Sequence, residues 1–90
     1  MPTVHLIIKG RVQGVFYRAT AKKVAEDIGL TGWVKNTDEG KVEILATGSN
    51  DQLQKLIQWC KIGPSKAVVA DVLVSNRKEE NFKGFDIIRG

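Results

Sequence analysis

Apolar residues in this chain recur with a period of two in some segments and near 3.6 in others, and the order of those segments leaves few folds open. Thr3 to Lys9 places Val4, Leu6 and Ile8 on one face and His5, Ile7 and Lys9 on the other, the pattern of a half-buried strand that ends at Gly10. Ala21, Val24, Ala25 and Ile28 then recur at i, i+3, i+4 and i+7, which predicts a helix stopping at Gly29. Leu30 to Lys35 and Lys41 to Thr47 return to strand character around the polar run Asn36-Thr37-Asp38-Glu39-Gly40, so they are expected to pair antiparallel. Ser49-Asn50-Asp51-Gln52 opens a second helix, because the Ser49 hydroxyl and the Gln52 side chain can cap exposed N–H groups reciprocally. Its stripe of Leu53, Leu56, Ile57 and Cys60 ends at Gly63-Pro64. Ala67 to Ser75 alternates and is β-branched, Asn76 to Gly84 is polar, and Phe85 to Arg89 is short enough for an edge strand.

The order is therefore β-α-β-β-α-β-β. Two helices with one apolar stripe each, and a sheet with one apolar face, are satisfied together when both helices cover that face. The expected fold is α+β, a ferredoxin-like α/β sandwich with an antiparallel sheet, two helices on one side and an extra short C-terminal strand. Ninety residues support one core, so residues 1–90 are read as one domain. Hydrophobic residues at 42% and charged residues at 27% are ordinary for a globular chain and argue against disorder. The first apolar stretch is broken by Lys9 and Gly10, too short for a signal-peptide core or a membrane span. Cys60 is the only cysteine and can form neither an intramolecular disulfide nor a zinc site by itself, so a cytoplasmic location is expected.

A net charge of +4 favours anionic partners, and its placement must say which. Gly10-Arg11-Val12-Gln13-Gly14-Val15-Phe16-Tyr17-Arg18 lies between the first strand and the first helix. Glycines at both ends of a short basic turn let backbone N–H groups converge, and the helix behind them adds the positive end of its dipole. Arg18 can add a bidentate pair of charge-assisted hydrogen bonds to phosphate oxygens. The same glycines would also serve a plain strand-to-helix connection with solvated arginines, and their spacing fits no Walker-type loop.

Ile8 to Arg18 resembles the first signature of the acylphosphatase family, and Gly32-Trp33-Val34-Lys35-Asn36, followed by Gly40, Val42 and Gly48, resembles the second. The resemblance runs through Gly63-Pro64 to the last strand and implies the same ferredoxin-like fold. Tyr17 departs from it, since the family more often carries Phe there; the change adds a hydroxyl beside the loop. The resemblance implies hydrolysis of acyl phosphates to a carboxylate and inorganic phosphate. It further implies that the backbone amides of Arg11, Val12, Gln13, Gly14, Val15 and Phe16 cradle the phosphoryl group, that Arg18 anchors it, and that Asn36 orients the attacking water. A carboxylate leaves without a proton donor, so positioning and charge stabilisation carry the reaction. The expected partners are a small acyl phosphate and, as competitors, inorganic phosphate or sulfate, with no metal, no other cofactor, no nucleic acid and no membrane, acting as a monomer.

Other reactive side chains have quieter readings. His5 is expected on an exposed sheet face, and Cys60 in the core stripe. Asp38 and Glu39 are expected as solvated turn acids, Trp33 and Trp59 as packing residues, and Arg77-Lys78-Glu79-Glu80 as a solvated loop. A single-strand RNA reader on the same fold would need aromatics on its first and third strands, and Thr3 to Lys9 and Lys41 to Thr47 contain none.

Overall fold

The structure is a computed structural model that describes residues 1–89. Its elements are β1 (Thr3–Arg11), α1 (Tyr17–Ile28), β2 (Thr31–Asn36), β3 (Val42–Thr47), α2 (Asn50–Ile62), β4 (Val68–Arg77) and β5 (Phe85–Ile88). The five strands form one sheet in the order β4-β1-β3-β2-β5. Val4, Leu6, Ile8, Val34, Val42, Ile44 and Ala46 face the helices and share one buried cluster with Ala21, Ala25, Leu53, Leu56, Ile57 and Cys60. The period-two and period-3.6 stripes read from the sequence thus meet in one core, as the ferredoxin-like arrangement requires.

β1 pairs antiparallel with β3 and β4, and β2 pairs antiparallel with β3. The last strand corrects the expected antiparallel sheet: β5 runs parallel to β2, with Gly32 opposite Phe85 and Lys35 opposite Ile88, so the sheet is mixed. β4 lies on the far edge, and the Lys78 to Gly84 connection must cross the whole sheet. That segment reaches at most about 25 Å, against about 19 Å for the inter-strand steps. It passes the lower ends of the strands, where Glu80 is pinned by its N–H to Thr3 Oγ1 (3.0 Å) and by its carbonyl to Thr47 Oγ1 (2.8 Å). The two threonines, both buried, are joined at 2.7 Å.

Every strand differs from the sequence reading by one or two residues at an end, and Asn36 closes β2 instead of opening the turn. β1 continues through Gly10 to Arg11 across a register shift at Lys9/Gly10. Only glycine fits there, because a Cβ on Gly10 would stand 2.1 Å from the Val68 carbonyl oxygen. β4 runs to Arg77, so Asn76 and Arg77 belong to the strand rather than to the loop. The second helix starts as expected, with a complete capping box between Ser49 and Gln52.

Candidate active site

Three strands run in one direction. β1 and β2 both oppose β3, and β5 follows β2, so their C-terminal ends, at Arg11, Asn36 and Ile88, lie at the same end of the sheet. The chain leaving β1 turns there into the N-terminus of α1. The register of β5 on β2, continued by one residue, brings Arg89 level with Asn36. Lys22 on α1 holds β5 in place by donating to the Phe85 carbonyl at 2.7 Å.

Residues 12–16 form the turn. Val12 is buried in the core, while Gly14 takes φ 73° over open space. Gln13 does not point to the turn's interior: its side-chain amide donates to the carbonyls of Thr37 (2.9 Å) and Lys41 (2.7 Å). That pair of hydrogen bonds ties the turn to the β2–β3 connection and fixes it relative to Asn36. Phe16 occupies the N-cap of α1 in the left-handed region, with φ 63° and ψ 23°, and gives no side-chain cap. The first N–H groups of α1 therefore lack the protein partner that Ser49 supplies to α2.

Between these parts lies a cavity of about 300 Å³. Val12, Gly14, Phe16 and Arg18 of the first motif line it together with Asn36 of the second. Arg11, Gln13 and Val15, also singled out in the sequence, are not among its lining residues. Tyr17, Ala19, Ile87 and Arg89 line it as well, and sequence reasoning had assigned none of them to a site. Ile87 and Arg89 were hidden because only the parallel pairing of β5 carries them to this end. The described lining residues include two arginines and no acid, so the cavity suits an anion. Asn36 Oδ1 is buried in the protein without a hydrogen-bond partner.

Tyr17 does not present its hydroxyl to the loop. The side chain is 1% exposed, its O–H donates to the Cys60 carbonyl at 2.8 Å, and its ring packs 5.1 Å from that of Trp59. Burial, reinforced by Cys60, raises the phenol far above its ordinary value. Burial likewise pushes the Cys60 thiol up to about 12, against the lowering effect of Tyr17, so the thiol stays protonated at neutral pH and acts as core. His5 also departs from expectation: it is half-buried on the sheet face away from the helices and pairs across strands with Glu43, which in turn pairs with Lys35 at 3.5 Å. Asp38 and Glu39 are exposed in the turn, as read from the sequence. Among the described residues no three His, Cys, Asp or Glu side chains gather into a metal-binding set, and no helix is long and apolar enough to cross a membrane.

Comparison with known proteins agrees with the two motifs. The acylphosphatase family model matches residues 4–87. An acylphosphatase of Trichormus variabilis is 42% identical over 86 residues, covering 96% of this chain and 85% of the relative. One from Marinobacter nauticus is 52% identical over 68 residues, covering 76% and 74% respectively. The crystal structure of acylphosphatase from Bacillus subtilis superposes with a TM-score of 0.95 at 39% identity, covering 99% of this chain and all of that one. With both motifs at one cavity and a match running from β1 into β5, the chain belongs to the acylphosphatase family.

Proposed function

We propose that the chain hydrolyses acyl phosphates by in-line attack of a water molecule on a phosphoryl group held at this cavity. The observation that carries the reading is that Arg18 of the first motif and Asn36 of the second line one cavity. A water molecule held by the Asn36 side-chain amide has a lone pair free for phosphorus. The amides of Arg11 to Phe16 and the guanidinium of Arg18 hold the equatorial phosphoryl oxygens and offset the charge that builds on them. As the new P–O bond forms, the bond from phosphorus to the acyl oxygen breaks and its electron pair leaves with the carboxylate. The water's proton passes to a phosphoryl oxygen, since Asn36 is not basic and no described lining residue is a His, Asp, Glu or Cys. The scheme asks for no metal.

The test is phosphate release from acetyl phosphate and benzoyl phosphate. Release well above background, inhibited competitively by inorganic phosphate or sulfate and insensitive to EDTA, is expected. Absence of release would leave a phosphate-binding module without turnover, and activity lost in EDTA and restored by a divalent ion would overturn the metal-free scheme.

A further inference from the structure

We propose that β4 is a self-association surface, where two copies of the chain pair edge to edge about a two-fold axis at Val74 and join their sheets. β4 bonds to β1 on one side and leaves its other edge open over ten residues. Edge strands of that length are normally shortened or guarded by proline or lysine, and Val68 to Arg77 holds neither. The register shift at Lys9/Gly10 falls on Ala70, and from Asp71 to Arg77 the pairing is regular. This edge is also apolar on both faces of the sheet. Val74, opposite Leu6, is 47% exposed on the helix side, and Leu73, opposite Ile7, is 45% exposed on the other.

Hydrogen bonds identify which main-chain groups the edge offers. The Val72 N–H donates to the Asp71 carboxylate next to it at 2.9 Å, and so faces away from β1. The Gly48 N–H, donating to the Pro2 carbonyl at 3.2 Å, gives the same alternation. Even-numbered residues of β1 exchange bonds with β3, and odd-numbered ones with β4. Val72, Val74 and Asn76 therefore present their N–H and C=O groups outward. A second β4 uses them only if even-numbered residues oppose even-numbered ones, which admits two-fold axes at Leu73, Val74 or Ser75. An axis at Leu73 sets Arg77 against Val69, and one at Ser75 sets Asp71 against Glu79, a like charge. The axis at Val74 sets Asp71 against Arg77 of the second copy, twice by symmetry, and lays Val74 on Val74. The Asp71 carboxylate then passes to that arginine, and the Val72 N–H passes to the Asn76 carbonyl of the second copy. Such pairing consumes the open β4 edge of both copies and stops at two. The monomer expected from the sequence is then the dilute form.

Sedimentation velocity at physiological ionic strength, from about 10 µM to about 1 mM, tests this. Wild type should pass from monomer to dimer over that range, and Val74→Lys, which sets two like charges on the axis, should stay monomeric. Asp71→Arg and Arg77→Asp should each weaken association about tenfold, and the double charge reversal should restore it. In wild type alone, amide exchange at Val72, Val74 and Asn76 should slow as concentration rises. A monomer at about 1 mM would overturn the proposal and leave the edge to a strand from another protein. So would a dimer that survives Val74→Lys, a double reversal that stays as weak as the single ones, species larger than two, or exchange at those three amides that ignores concentration.

Discussion

An amide oxygen sealed from solvent without a donor forfeits its hydrogen bonds to water, a loss of about 1 to 3 kcal/mol. Asn36 Oδ1 carries that loss, so stability does not explain the residue, whereas its place beside Arg18 in the cavity lining does. Asn36→Ala should accordingly lower kcat by about 100- to 1,000-fold with little change in KM, while stability in urea holds or rises. Arg18→Ala should instead raise KM and lower kcat together, because in the proposed scheme it meets the phosphoryl group in both ground and transition states. Steady-state kinetics on the two variants separates the roles, and an unchanged kcat in Asn36→Ala would remove that residue from the reaction. A different residue contributes to stability at acid pH. Partial burial raises the Glu43 carboxyl, but its bond to His5 and the nearby charges of Lys35 and His5 outweigh this, and the net shift is downward. A carboxylate lowered on folding contributes stability above its unfolded value, and that contribution fades as pH falls through the lower folded value. Urea midpoints should drop below about pH 4.5, and Glu43→Gln should flatten that drop. Arg18 and Asn36 could be singled out in the sequence because each sits in a motif of its own, and the structure brings both to one cavity. The His5–Glu43 pair was not, since the two lie on different strands and only the register of β1 on β3 brings them together.

Helix ends were legible where their chemistry is local and obscure where it is not. The Ser49 and Gln52 capping box lies within four residues and was read directly. The other end of α2 depends on α1. In a continuing helix the Cys60 carbonyl would accept from the N–H of residue 64, but Pro64 has none. The Tyr17 hydroxyl takes that place at 2.8 Å. The hydroxyl that distinguishes this chain from the commoner Phe thus completes the neighbouring helix rather than the loop. Tyr17→Phe should lower stability by about 1 to 2 kcal/mol, since a buried carbonyl is left unpaired. Each kcal/mol should appear as about 4 to 8 °C of Tm in a domain of this size. A Tm equal to wild type would mean that the carbonyl finds another donor. Strand boundaries were harder, because the extension of β1 through Gly10 depends on close approach by β4 from the far end of the chain.

At the scale of the molecule, the direction of β5 decides what the site contains. Phe85 to Arg89 reads as an edge strand from its length and composition, but nothing in those residues says which edge or which direction. That is settled by the connection from Lys78 to Gly84, pinned to Thr3 and Thr47 as it crosses the sheet. Antiparallel pairing would set the start of β5 beside Asn36; parallel pairing sets Arg89 there. The same topology governs the order of events in folding. Thr3 pairs with Arg77 and Gly32 with Phe85, so the cavity closes only after most of the chain has been looped back on itself, a slow step compared with forming either helix. An anion that recognises the finished cavity has nothing to grip in the chain on its way there. Phosphate should therefore slow unfolding in stopped-flow experiments while leaving the refolding rate unchanged. Faster refolding in phosphate would mean that the turn after β1 captures its anion before β5 arrives. An unchanged refolding rate would make the site the last part of the protein to exist in time.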